Sequence, residues 1–76
     1  MNTIASILAQ LRPEIKFEES NNYINDGLLD SFDIMVLVSE LDKAYSISIN
    51  GIDIIPENFK SQAAIAMLLK NYEVNE

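Results

Sequence analysis

The sequence contains neither cysteine nor histidine among its 76 residues. Without cysteine the chain forms no disulfide, and without the two commonest zinc ligands a zinc site is not expected. The same two absences remove the cysteine nucleophile and the commonest general base of enzymes. We therefore do not expect an enzyme. If the protein takes part in covalent chemistry, its reactive group should be supplied from outside the chain.

Basic residues are scarce, because 5 Lys and Arg stand against 12 Asp and Glu, which gives a net charge of −7. Nucleic acids and anionic membranes are bound through clustered basic side chains, so neither is an expected partner. A protein with a basic surface patch is the natural complement. No apolar run approaches the ~20 residues that span a bilayer, and the N-terminus lacks a signal-peptide pattern. We expect a cytoplasmic monomer without membrane insertion.

Apolar residues make up 49% of the chain, and most of them follow the spacing of helices. The length fits one domain over residues 1–76, with a core expected to supply only roughly 3–5 kcal/mol. A first helix should follow an N-cap at Asn2 or Thr3 and end at Arg12, because Pro13 disfavours helical geometry in the residue before it. Its apolar stripe consists of Ile4, Ile7, Leu8 and Leu11.

Residues 14–30 predict a long loop that is anchored by apolar side chains, with a turn at Asn25-Asp26-Gly27. The anchors are Phe17, Tyr23, Ile24, Leu28 and Leu29. A second helix should begin at Asp30 or Ser31, since either residue can cap free backbone N–H groups. Its inward stripe is Ile34, Leu37, Val38, Leu41 and Tyr45.

The last third of the chain predicts an extended exit over 46–51 and a short helix within Ile52–Phe59, with Pro56 in its first turn. A final helix should begin at Lys60 or Ser61, and a fraying tail should run from residue 71 to residue 76. The buried face of this helix is Ala64, Ile65, Leu68, Leu69 and Tyr72. The predicted fold is all-α, a small antiparallel bundle of three longer helices and one short helix.

Ser31 is the residue whose setting suggests chemistry. A serine at the start of a helix, after a glycine turn, presents its hydroxyl to solvent. A phosphate on that hydroxyl would lie beside free N–H groups at the positive end of the helix dipole. On physical grounds alone the simpler interpretation is an N-cap, which contributes about 1 kcal/mol.

The stretch Asp30-Ser31-Phe32-Asp33 resembles the Asp-Ser-Leu signature of acyl and peptidyl carrier proteins, with Phe32 in the place of the usual leucine. The resemblance extends over nearly the whole chain, through the long loop and the Pro-Glu-Asn-Phe segment to the last helix. It implies that a phosphopantetheinyl transferase moves 4′-phosphopantetheine from coenzyme A onto Ser31, and that Asp30 helps to hold the Mg²⁺ and cofactor of the transferase. Acyl or aminoacyl groups would then be bound to the thiol of this arm as thioesters.

The face of the second helix next to Ser31 predicts a partner surface. Residues 26–42 contain no Lys or Arg and carry five carboxylates: Asp26, Asp30, Asp33, Glu40 and Asp42. Three apolar side chains lie off the inward stripe: Phe32, Met35 and Val36. Such a charge cluster is most often a solvated helix face, whereas the resemblance implies a docking surface for basic patches on partner enzymes. Its partners would be the transferase, a loading ligase or synthetase, and downstream transferases.

The cargo is left open by the residues. Many fatty-acid carriers have an acidic residue at the position of Val36, which argues against an ordinary role in fatty-acid synthesis. The sequence Leu28-Leu29-Asp30-Ser31 is also similar to the corresponding motif of D-alanyl carriers and of stand-alone aminoacyl or peptidyl carriers. Fatty-acid, polyketide, peptide and D-alanine pathways all remain open.

Two other interpretations compete with that of a carrier. An EF-hand that uses Gly27 as its sixth residue would begin at Asn22 and have Ile24 at a ligand position, and Asp33 would replace the bidentate Glu. That interpretation fails because isoleucine cannot bind calcium. A non-covalent acidic interaction domain, such as an adaptor or inhibitor, fits the composition equally well. It gives no reason for Asp30-Ser31 at a loop-to-helix junction.

Overall fold

The computed structural model describes residues 3–74, which form three α-helices and three short 3₁₀ turns with no strand in that range. The helices are α1 (Ile4–Leu11), α2 (Ser31–Tyr45) and α3 (Gln62–Lys70). The 3₁₀ turns span Phe17–Glu19, Gly51–Asp53 and Pro56–Phe59. The all-α prediction is confirmed. The antiparallel arrangement of the bundle stays a prediction.

Local capping fixes where α1 begins. Thr3 is the N-cap: its hydroxyl accepts a hydrogen bond from the Ser6 N–H at 3.1 Å, and the Ser6 hydroxyl accepts one from the Thr3 N–H at 3.0 Å. Such reciprocal bonds satisfy two donors that a helix start would otherwise leave free. At the other end Arg12 leaves the helical region just before Pro13, as predicted. The alternative cap, Asn2, lies outside the described residues.

The loop between α1 and α2 is anchored, as its apolar residues predicted. Phe17 and Tyr23 are buried and meet edge to face with ring centroids 5.0 Å apart. The Tyr23 N–H donates to the Lys60 carbonyl at 2.6 Å, and the Tyr23 carbonyl accepts from the Leu28 N–H at 2.8 Å. Gly27 adopts φ +74°, a conformation that favours glycine, and turns the chain toward α2. These bonds hold the segment that leads into Ser31.

The short helical turn expected within Ile52–Phe59 corresponds to the 3₁₀ turn Pro56–Phe59, which has Pro56 as its first residue. An additional 3₁₀ turn over Gly51–Asp53 was not expected, and Ile54 and Ile55 separate the two turns. Pro56 fixes φ at the start of the second turn but brings no N–H, so the two turns do not merge into one helix. Ser61 then caps α3 by accepting from the Ala64 N–H at 3.0 Å.

The tail after α3 is held in place as far as residue 74. The Tyr72 hydroxyl donates to the Asp53 carboxylate at 2.6 Å and accepts from the Asn50 N–H at 2.9 Å. The Val74 N–H donates to the Leu69 carbonyl at 3.0 Å, and Val74 packs against the core. The fraying predicted from residue 71 is therefore wrong for 71–74. Residues 75 and 76 lie outside the described range.

A single hydrophobic core joins the elements, because α1 packs against both α2 and α3, and α3 packs against the turn Pro56–Phe59. The largest side chains with no appreciable exposure are Ile4, Leu8, Leu37, Leu41, Phe59, Ile65 and Leu69. Each predicted stripe supplies buried residues, although four stripe residues are only half-buried: Leu11, Tyr45, Ala64 and Tyr72. Across residues 3–74 no helix combines the length and apolar character needed to cross a bilayer.

Candidate functional site

Ser31 is the first residue of α2 and is exposed. The N-cap is the residue before it: the Asp30 carboxylate accepts from the Asp33 N–H at 2.9 Å, and the Asp33 carboxylate accepts from the Asp30 N–H at 3.3 Å. Of the two caps that the sequence allowed, Asp30 is the one used. The Ser31 hydroxyl has no hydrogen-bond partner within residues 3–74, so it is not needed to hold the helix.

The backbone around Ser31 leaves N–H groups free at the helix start. The Ile34 N–H donates to the Asp30 carbonyl at 3.0 Å, and the Asp33 N–H is taken by the cap. The N–H groups of Ser31 and Phe32 have no acceptor in the described part of the chain. Because the helix dipole also makes this end positive, the position suits an anionic group attached to the serine.

Asp33 has a different role from the one predicted. We expected it on a docking face, but it is buried with 8% exposure and its carboxylate receives the Arg12 Nη1 at 3.0 Å. One of its oxygens thus accepts from both the Arg12 guanidinium and the Asp30 N–H. The side chain is committed to the junction between α1 and α2, and it is not a free charge for a partner.

Arg12 joins two carboxylates at this junction. Its Nη1 contacts Asp33, and its Nε donates to Glu14 at 2.7 Å. The hydrogen bond and charge of Glu14, followed by the charge of Asp33, raise the pKa of the Arg12 guanidinium. The same hydrogen bond lowers the pKa of the Glu14 carboxyl. Arg12 therefore remains charged across the physiological range, beside the start of α2.

The predicted apolar partner residues are exposed to different degrees. Phe32 is 74% exposed and Met35 is 67% exposed, so both leave large apolar surfaces in water near Ser31. Val36 and Glu40 are half-buried at a groove of about 390 Å³ between α1 and α2. The groove is lined by Ile7, Gln10, Leu11, Val36, Glu40, Lys43 and Ala44. Phe32 and Met35 are thus the most accessible of the predicted contacts.

Asp42 is committed to holding the end of α2. Its carboxylate accepts from the Ile49 N–H at 3.1 Å, and its carbonyl accepts from the N–H groups of Ser46 and Ile47. Ile49 is buried, so this bond anchors the exit loop to the core. Asp42 is half-buried and uses one carboxylate oxygen in this bond, and its role as a docking charge stays a prediction.

Two features of the site escaped the sequence reasoning. The spacing Asp30-x-x-Asp33 is that of a capping box, a pattern which could have indicated that both carboxylates serve the backbone. Arg12 gave no such signal, because its partner is 21 positions away in the chain. Among the described residues, no group of three or more carboxylates is arranged to hold a metal ion.

Comparison with protein-family models, with curated proteins and with solved structures finds no match to this chain. The interpretation of the site therefore depends on its own residues and geometry.

Proposed function

We propose that this chain is a carrier protein, on which acyl or aminoacyl intermediates are held as thioesters of a phosphopantetheine arm attached to Ser31. The observation that carries the proposal is the exposed Ser31 hydroxyl at the first position of α2, freed from capping by Asp30. It stands in the motif Asp30-Ser31-Phe32-Asp33, which resembles the carrier signature. A serine kept only as a helix cap would be using its hydroxyl.

The residues around Ser31 fit a phosphodiester. The free N–H groups of Ser31 and Phe32 can donate to phosphate oxygens, and the helix dipole favours negative charge there. Arg12 offsets part of the charge of Asp33, so the arm would not meet two uncompensated carboxylates. One carboxylate oxygen of Asp30 accepts a hydrogen bond from the Asp33 N–H, and the exposed side chain remains accessible to the Mg²⁺ of a transferase.

Attachment is a phosphoryl transfer to the Ser31 hydroxyl. The serine oxygen forms a bond to the phosphorus next to the pantetheine of coenzyme A, the pyrophosphate linkage breaks, and adenosine bisphosphate leaves. The serine proton passes to a general base of the transferase. Once attached, the arm supplies the thiol that carries the acyl group. The chain itself exposes the serine, fixes the helix start behind it and presents a face to partner enzymes.

Incubation with coenzyme A, Mg²⁺ and a broad-specificity phosphopantetheinyl transferase tests the proposal. We expect the intact mass of the protein to increase by one phosphopantetheine, and peptide mapping to locate the group at Ser31. A known carrier modified in parallel serves as the positive control. An unchanged mass beside a modified control would reject the proposal and leave a non-covalent acidic interaction domain as the better account.

We further propose that Phe32 and Met35 are partner contacts. Both are large apolar side chains left in water beside the attachment serine, and Glu40 adds negative charge to the same helix for a basic partner. Val36 borders the neighbouring groove and extends this surface. Contiguous exposed apolar surface marks protein contacts, and a few residues carry most of the binding energy of an interface.

Met35→Ala should raise the KM of the modifying or loading enzyme for this protein by about tenfold, the effect of losing roughly 1.4 kcal/mol at an interface. The matched control is Met67→Ala on α3, because Met35 and Met67 are 67% and 69% exposed and should affect folding equally little. Steady-state kinetics on the two variants decide the matter. Equal KM values for Met35→Ala and Met67→Ala would contradict the assignment.

A further inference from the structure

The ion pair between Arg12 and Asp33 connects the end of α1 to the start of α2. We infer that Arg12 is a positioning residue for the attachment serine: it holds the first turn of α2 and offsets the carboxylate charge that an incoming phosphate would meet. This inference rests on the proposed function of Ser31. It assigns a role in the attachment step to a residue outside the motif.

The connection is continuous in the structure. Arg12 is the C-cap of α1, and its own N–H donates to the Leu8 carbonyl at 3.0 Å, which anchors the base of the side chain. Its Nη1 lies 3.0 Å from the Asp33 carboxylate. That carboxylate is 3.3 Å from the N–H of Asp30, the residue directly before the serine. The position of the first turn relative to α1 is therefore fixed through one buried carboxylate.

The charge at this place explains why a cation is useful. Two carboxylates, Asp30 and Asp33, flank the serine in sequence, and the phosphate that reaches Ser31 is itself anionic. The three ion pairs in the described part of the chain include two made by Arg12, and the third joins Lys60 to Glu57. Arg12 is thus the cation bound at the start of α2. Its loss would leave the negative charge of Asp33 uncompensated in a largely buried position.

A purely structural role and the proposed role predict different kinetics. If Arg12 only supported the fold, its removal would lower stability and leave the turnover of folded protein unchanged. If it also offsets charge at the reacting serine, its removal slows the attachment step itself. Removal of a cation also makes the protein more acidic, which should not weaken its binding to a basic transferase. The expected signature is a lower kcat without a higher KM.

The experiment compares Arg12→Gln, Arg12→Lys and Lys60→Gln as substrates of the transferase at low and high salt. Lys60→Gln is the matched control, because it removes one positive charge and one exposed ion pair elsewhere. We expect Arg12→Gln to lower kcat about fivefold at low salt, less at high salt, with KM unchanged or lower. Arg12→Lys should restore most of the rate, and Lys60→Gln should match the wild type.

Amide hydrogen exchange gives a readout that does not depend on the modification. Arg12→Gln should speed exchange of the Asp33 N–H about fivefold relative to wild type, since the cap it closes is no longer held from α1. Wild-type kcat together with wild-type exchange in Arg12→Gln would overturn the inference. If wild type itself is not modified, the proposed function fails, and the exchange result still tests whether Arg12 positions this turn.

Discussion

Phe59→Ala is expected to leave the domain largely unfolded at room temperature. Phe59 lies at the end of the turn Pro56–Phe59, is fully enclosed and packs in the core that joins the three helices. Replacement of a buried phenylalanine by alanine costs about 3–5 kcal/mol through lost transfer energy and the cavity that remains. A core of this size supplies only roughly 3–5 kcal/mol of net stability, so the variant should have almost none left.

The matched control for this prediction is Phe32→Ala, the same substitution at a side chain that is 74% exposed. It removes the same atoms from the surface of α2 and should change stability by less than about 0.5 kcal/mol. Urea unfolding followed by far-UV circular dichroism compares the two. A cooperative transition for Phe59→Ala with a midpoint near that of Phe32→Ala would contradict the assignment of Phe59 to the core.

The sequence predicted the helices well because their signals are local. The start of α1 follows from Thr3 and the start of α3 follows from Ser61, and in each case the capping hydroxyl accepts from an N–H three residues along. The apolar stripe of α2 likewise repeats with the helical period, and all of it except the half-buried Tyr45 is buried. Caps and periodicity depend on neighbours within one or two turns, so no knowledge of the tertiary fold is needed.

The differences arise where distant residues decide the structure. The sequence of the tail after α3 predicts fraying, yet the Tyr72 hydroxyl donates a hydrogen bond to the Asp53 carboxylate, 19 positions away. Hydrogen bonds of this kind leave no periodic pattern in the sequence. They could be found only once the fold had brought the partners together.

The same distinction between local signals and distant contacts applies to the candidate site. The motif and the loop-to-helix junction identified Ser31 and Asp30 from neighbouring residues. The charges of α2 were harder to assign, because a carboxylate on a helix can face a partner or serve the fold. Asp33 turns inward to Arg12, and Asp42 holds the Ile49 N–H. Both were predicted as docking charges, and both are committed to contacts within the chain.

Ser31→Ala is expected to abolish the mass increase completely while leaving the fold intact. The hydroxyl makes no hydrogen bond within the described residues, Asp30 supplies the cap, and alanine is well tolerated inside a helix. A loss of modification in this variant can therefore not be attributed to unfolding. Intact mass after the transferase reaction and a urea unfolding curve are measured on the same sample.

The matched control, Ser61→Ala, should change stability and leave the modification unchanged, which is the opposite of the result expected for Ser31→Ala. Ser61→Ala removes the cap of α3, so it should lower the free energy of unfolding by about 1 kcal/mol and still accept one phosphopantetheine. Ser31→Ala should keep the wild-type unfolding curve and accept none. These opposite results distinguish a serine that caps a helix from a serine that carries a prosthetic arm. A full mass increase on Ser31→Ala would exclude Ser31 as the attachment point.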